Sequence, residues 1–184
     1  MTQRDDLLVW MDLEMTSLVD VHVDAITEIA VIITDNELNI VAEGPDIVIH
    51  ADPARFDQIP ADVRAIHDKS GIIPAVAAST ISQADAERQV LDFVTQYVAP
   101  LSSPLCGSSV HMDRMFMYTH MPTLNAYLFH RNIDVSTVKE MVRRWRPEVY
   151  DEWSAMKGEH THRALDDIKR SIRELQFYKS KLFV

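Results

Sequence analysis

The sequence predicts an α/β fold, a mixed five-stranded sheet with helices packed on it. Three observations carry this. Three apolar, strand-like segments follow one another within the first 50 residues. Helix-like and strand-like segments then alternate. The chain closes on a long amphipathic stretch with two acids in its first turns.

Residues 7–15, 25–34 and 39–50 are apolar and β-branched, and Asp35-Asn36 supplies a turn between the second and third. Residues 61–69 have a helical pattern. Ser82-Gln83-Ala84-Asp85 resembles a capping box ahead of a helix whose stripe is Val90, Phe93, Val94, Tyr97 and Val98. Residues 105–109 predict a fourth strand, 113–120 a helix and 133–135 a fifth strand. Residues 137–145 predict a helix stopped near Pro147. Residues 150–161 are polar, carry Gly158 and lack periodicity, which predicts a mobile loop that positions His162. Ile168, Ile172 and Leu175 space a final helix over 162–181. Three sequential strands followed by alternation suit a mixed sheet. With no repeat, low-complexity run or linker, residues 1–184 predict a single domain with its core at about 7–181.

Composition narrows the setting. The apolar runs are too short to span a bilayer, and Met1-Thr2-Gln3-Arg4-Asp5-Asp6 lacks a signal-peptide core. The single cysteine, Cys106, excludes an internal disulfide framework, so the cytoplasm is the expected compartment. The net charge of −10 argues against a broad basic surface tracking long nucleic acid. No basic run exceeds Arg143-Arg144, with Arg146 close by. Positioned cations can still hold a short oligonucleotide.

The chemistry begins at Asp12 and Glu14, in Val9-Trp10-Met11-Asp12-Leu13-Glu14-Met15-Thr16. Alternation along a strand puts both carboxylates on one face. On this segment alone two readings stand. The pair is either compensated by a hard divalent cation, which prefers oxygen ligands, or solvated on an exposed edge strand. The other end of the chain favours the cation. Asp166 and Asp167 open the last helix, where the helix dipole alone would also favour them. Asp113 follows the strand-like Leu105-Cys106-Gly107-Ser108-Ser109. Asp12, Glu14, Asp113 and Asp167 form a set able to hold two metal ions roughly 4 Å apart for in-line attack on a phosphodiester. His162 stands beside them to take a proton. On a continuous helix His162 and Asp166 share a face, so spacing alone pairs those two. A transition-metal site at His160 and His162 is disfavoured, because Cys106 has no CxxC partner.

Asp12-x-Glu14, then Asp113, then His162 with an aspartate five residues later, resembles the DEDDh branch of the 3′→5′ exonucleases and, within it, the oligoribonuclease family. The supporting stretches are residues 10–16, 104–107, Asp134-Val135-Ser136-Thr137-Val138-Lys139-Glu140 with Arg143-Arg144-Trp145, and His162-Arg163-Ala164-Leu165-Asp166-Asp167-Ile168. The likeness runs from about Leu8 to Tyr178. It implies a ribonuclease H-like fold, two Mg²⁺ or Mn²⁺ ions, His162 as general base and Asp167, rather than Asp166, as the fourth metal ligand. It also implies a homodimer that degrades short RNA, 5′-phosphorylated dinucleotides above all, to 5′-mononucleotides.

The resemblance adds roles to residues whose ordinary readings are plainer. Leu18 reads as core, but the matching leucine of the family wedges between the two bases of a dinucleotide, which an apolar side chain does without choosing a sequence. Ser136 reads as a helix N-cap and Arg131 as a surface charge. The family makes Ser109, Arg131, Ser136 and Thr137 a cap around the 5′ phosphate. Trp10 reads as core, and Met15 as either core or pocket floor. Glu28, in an apolar strand, either orients a metal ligand or water or serves an inward-facing structural partner.

Three departures stand out. Ser17 replaces a usual glycine, Ser108 a usual asparagine, and His130 a tyrosine that reaches the neighbouring subunit's substrate. His111 and Met112 are also unusual, without a physical account. Two rivals remain at this level: a general or proofreading exonuclease of the same fold acting on longer DNA or RNA, and a non-catalytic nucleotide-binding protein.

Overall fold

The computed structural model describes residues 3–156, 158 and 161–182. The elements run β1 (Leu8–Met15), β2 (Ile26–Thr34), β3 (Ile40–Val48), α1 (Ala61–Ser70), α2 (Ile72–Ala78), α3 (Gln83–Val94) and β4 (Leu105–Gly107). They continue with α4 (Val110–His120), α5 (Pro122–Tyr127), β5 (Asn132–Asp134), α6 (Val135–Trp145), α7 (Pro147–Met156) and α8 (Ala164–Leu182). The five-stranded sheet has the order β3-β2-β1-β4-β5. β1, β2 and β3 form an antiparallel meander, and β4 and β5 run parallel to β1. The mixed sheet flanked by helices is as predicted.

Side-chain parity along β1 divides the molecule into two layers. Val9, Met11, Leu13 and Met15 face one side and pack with Val90, Val94, Phe116 and Leu124 of α3, α4 and α5. Trp10 faces the other side, packing with Ala30, Ile32 and Cys106 and with Ile168 and Ile172 of α8. It is fully buried, as predicted, and its indole N–H donates to Thr34 Oγ1 at 2.9 Å. The same alternation puts Asp12 and Glu14 beneath α8. Met15 serves both of its readings, being buried in the first layer and lining a cavity.

Several elements depart from prediction. Gly71, at φ 71°, caps α1 in the left-handed region and lets α2 begin at once. Pro147 starts α7 as well as following α6, because proline's missing N–H costs nothing at a first helical position. Val149 and Trp153, one turn apart, then bury against Tyr178. Residues 150–156 are therefore helix, not the predicted mobile loop; His160 lies outside the described residues. The N-cap of α6 is Asp134, whose carboxylate accepts from the Ser136 amide at 2.9 Å, and Ser136 is already helical. Val135, assigned from sequence to the fifth strand, opens the same helix. α8 starts at Ala164, and His162 precedes it in the left-handed region at φ 52°.

Candidate active site

β1 outruns its neighbour. β4 registers only with Val9 and Trp10, and further along the Leu13 amide donates to Asp113 Oδ1 at 2.9 Å. Asp113 reaches that amide because the chain turns tightly from β4 into α4. A Cβ on Gly107 would meet the Met11 carbonyl at 2.8 Å. From the opposite layer α8 brings in Asp167. Oxygens of Asp12, Glu14 and Asp167 lie within 4.8 Å of one another. They share a cavity of about 380 Å³ with Asp113 and His162. Of the two neighbouring aspartates, Asp167 is buried in this group. Asp166 is exposed and accepts from the Thr161 hydroxyl at 3.1 Å.

The electrostatics of the group are those of acids crowded out of water. Burial, then the charges of Asp113, Glu14 and Asp167, raises the Asp12 carboxyl well above the usual carboxylate range. Burial, then Asp167 and Glu28, pushes Glu14 up to about 8. Burial pushes Asp113 up to about 7 against the opposing pull of the Leu13 amide. A cation among these oxygens would reverse each shift. The donor set, all carboxylate oxygen with one imidazole at its edge, suits a hard divalent ion. Glu28 is fully buried beside the group, where the Arg163 guanidinium and the Ala164 amide bond its carboxylate.

The remaining predicted residues fall in three places. Leu18 is 56% exposed and lines the cavity, so it is not a core leucine. Its loop is held by Asp24, which accepts from the amides of Val19 and Asp20 and from Thr16 Oγ1. Ser109 also lines the cavity, at φ 60°, and its amide donates to Asp134 Oδ1 and to Ser136 Oγ. The Ser136 hydroxyl in turn donates to Asp134, leaving the Ser109 hydroxyl and the exposed Thr137 as the less committed polar groups there. His130 and Arg131 are exposed on the segment after α5, where the His130 ring lies 4.2 Å from that of Phe129. Arg114 pins this segment, donating to the carbonyls of Phe129 and Arg131 and to Asn132 Oδ1.

Three charged cavity residues were not among the expected site residues: Lys139, Arg170 and Glu174. Lys139 and the buried Glu174 form an ion pair at 3.0 Å, and Glu174 also accepts from the Tyr178 hydroxyl at 2.9 Å. Helical spacing was the available signal: Lys139 follows Ser136 by three positions, and Glu174 follows Asp167 by seven.

Known proteins resemble this chain in sequence and in fold. The RNase T exonuclease family matches residues 9–175. An oligoribonuclease of Thiobacillus denitrificans is 48% identical over 172 residues, covering 94% of this chain and 92% of that protein. An oligoribonuclease of Vibrio cholerae is 46% identical over 183 residues, covering 100% of this chain and 99% of that protein. Among solved structures, the zinc-bound E. coli ExoI–ssDNA complex superposes with a TM-score of 0.73 at 18% identity, over 97% of this chain. Exonuclease I of Methylocaldum szegediense superposes with a TM-score of 0.71 at 19% identity, over 96% of this chain. This chain spans 41% of the length of each of those two structures, and at such identities the likeness is one of fold.

Proposed function

The chain belongs to the RNase T exonuclease family, and on that premise we propose that it hydrolyses short oligoribonucleotides from the 3′ end, dinucleotides foremost, to 5′-mononucleotides. The observation that carries the reading is the convergence of Asp12, Glu14 and Asp167 within 4.8 Å. Asp113 and His162 line the same cavity.

Asp12, Glu14, Asp113 and Asp167 would hold the metal, two ions of Mg²⁺ or Mn²⁺ in this reading. Held there, the ions would supply acidification of a water and neutralisation of charge on the leaving 3′ oxygen. His162 accepts the proton of the attacking water at its imidazole. Leu18 stands between the two bases. Ser109, Ser136, Thr137 and Arg131 receive the 5′ phosphate at the start of α6, which leaves no room for a longer 5′ extension. Asp134 already occupies two amides there, so the phosphate depends on Arg131 to offset a neighbouring carboxylate.

The protein acts as a homodimer in which the His130 segment reaches the partner's substrate. That segment is exposed, and α6 presents a further apolar groove formed by Val138, Met141 and Trp145. No helix among the described residues is long and apolar enough to cross a membrane, and the buried thiol of Cys106 suits a reducing cytoplasm.

The direct test is product analysis on RNA oligonucleotides labelled at either end. Hydrolysis from the 3′ end releases 5′-mononucleotides from the first time point. Internal cleavage products or 3′-mononucleotides contradict the proposal.

A further inference from the structure

His162 sits in an awkward place. Its backbone is left-handed at φ 52°, a conformation that costs a β-carbon-bearing residue free energy unless its neighbours hold it. It also lies just ahead of α8, where the first helical amides lack carbonyl partners. The residue that answers both problems belongs to another element. Glu28, in the middle of the sheet on β2 and fully buried, accepts from Arg163 Nε at 3.0 and 3.1 Å. Its second oxygen also accepts from the Ala164 amide at 3.1 Å. One carboxylate thus anchors both the side chain next to His162 and the first amide of α8.

We propose that Glu28 and Arg163 are positioning residues for His162, a latch that fixes the imidazole over the carboxylate group. This rests on the reading of His162 as the proton acceptor.

Three features support the latch. Glu28 lies on the rigid part of the fold, on a strand buried along its whole length, so the anchor itself does not move. The planar guanidinium engages the carboxylate through two nitrogens, which fixes direction as well as distance. A buried carboxylate is costly unless paired, so the pairing is strongly favoured and the segment from Arg163 to Ala164 is held to one arrangement. Arg163 is separated from His162 by one peptide bond, so an error of an ångström at Arg163 passes directly to the imidazole.

The test is a kinetic cycle on the full chain with Mn²⁺ and an RNA dinucleotide. His162→Ala alone tests the underlying reading: unchanged kcat removes His162 as base and the latch with it. If kcat falls there, Glu28→Gln is expected to lower kcat at least about thirtyfold. KM and calorimetric Mn²⁺ affinity should stay within about threefold. In the His162→Ala background the same substitution is expected to change kcat less than twofold, since there is no longer a base to position. Arg163→Lys keeps the charge near Glu14 while losing the planar fork. It is expected to give an intermediate kcat, and it serves in place of Glu28→Gln if that variant fails to fold. Multiplicative losses in the double variant, an unchanged kcat in Glu28→Gln, or a loss confined to Mn²⁺ affinity overturns the latch.

Discussion

Glu14 and Glu28 stand directly opposite each other on β1 and β2, on the face of the sheet that α8 covers. Like charges so placed in a buried sheet repel. Glu28 is answered by Arg163 and the Ala164 amide. Glu14 turns instead to the cavity it shares with Asp12 and Asp167. One acid of the pair holds the structure, and in the proposed site the other meets a cation.

The same repulsion predicts the pH dependence of stability. The Glu14 carboxyl lies at about 8 in the folded chain against an ordinary 4.5, and Asp113 at about 7 against 3.8. Acids so raised bind protons more tightly folded than unfolded. Their stabilisation is complete below the unfolded values and is lost as pH rises through about 7 and 8. The metal-free protein is therefore expected to melt at falling temperature from pH 5 to pH 8, and saturating Mn²⁺ to reverse the fall. A metal-free melting temperature that is flat or rising over this window contradicts the crowding.

Neutral replacements separate the two roles of the carboxylates. Asp12→Asn, Glu14→Gln, Asp113→Asn and Asp167→Asn are each expected to lower turnover about a hundredfold or more, because the group acts as a unit. Each is also expected to melt no lower than the unmodified chain without metal. Asp166→Asn is expected to have a modest effect on turnover, since that side chain is exposed and bonded to Thr161. A dead Asp166 variant beside an active Asp167 variant reverses the assignment.

In the proposed 5′-phosphate cap, Arg131 supplies the charge that offsets Asp134. Arg131→Ala is expected to weaken binding of a 5′-phosphorylated dinucleotide by about 1.5–3 kcal/mol, the loss of a charge-assisted contact. Binding of the unphosphorylated dinucleotide should change little. Equal losses on both ligands take Arg131 away from the phosphate.

His130 tests the shared site. Its ring is smaller than the family's tyrosine, so His130→Ala is expected to weaken dinucleotide binding by about 1 kcal/mol or less, and His130→Tyr to strengthen it. Mixing His162→Ala and His130→Ala subunits should restore one site intact in both its own and its partner's residues. An active monomer by sedimentation, or no recovery on mixing, assigns His130 another role.

Much of this was legible in the sequence because it depends on parity and spacing. Trp10 read as core because aromatics in central strands usually are, and alternation from Val9 to Met15 put Asp12 and Glu14 on one face; the structure buries Trp10 and brings the two carboxylates together. Asp166 and Asp167 were not separable that way. Helical spacing paired Asp166 with His162, but α8 starts two residues later and His162 has a left-handed backbone, so the i, i+4 relation never forms. Pro147 was read as a stop, although the same ring begins α7. Arg163 was invisible as an anchor because its partner is 135 positions away, and only the fold brings Glu28 to it.

The proposed function requires a carboxylate site suited to very short RNA. Turnover of 5′-phosphorylated RNAs from two to about twenty nucleotides, with and without Mg²⁺ or Mn²⁺, tests it most directly. Hydrolysis is expected only with metal, with a kcat/KM that is highest for the dinucleotide and falls steeply with length. Equal efficiency on the two-mer and the twenty-mer, or undiminished turnover in chelator, contradicts it.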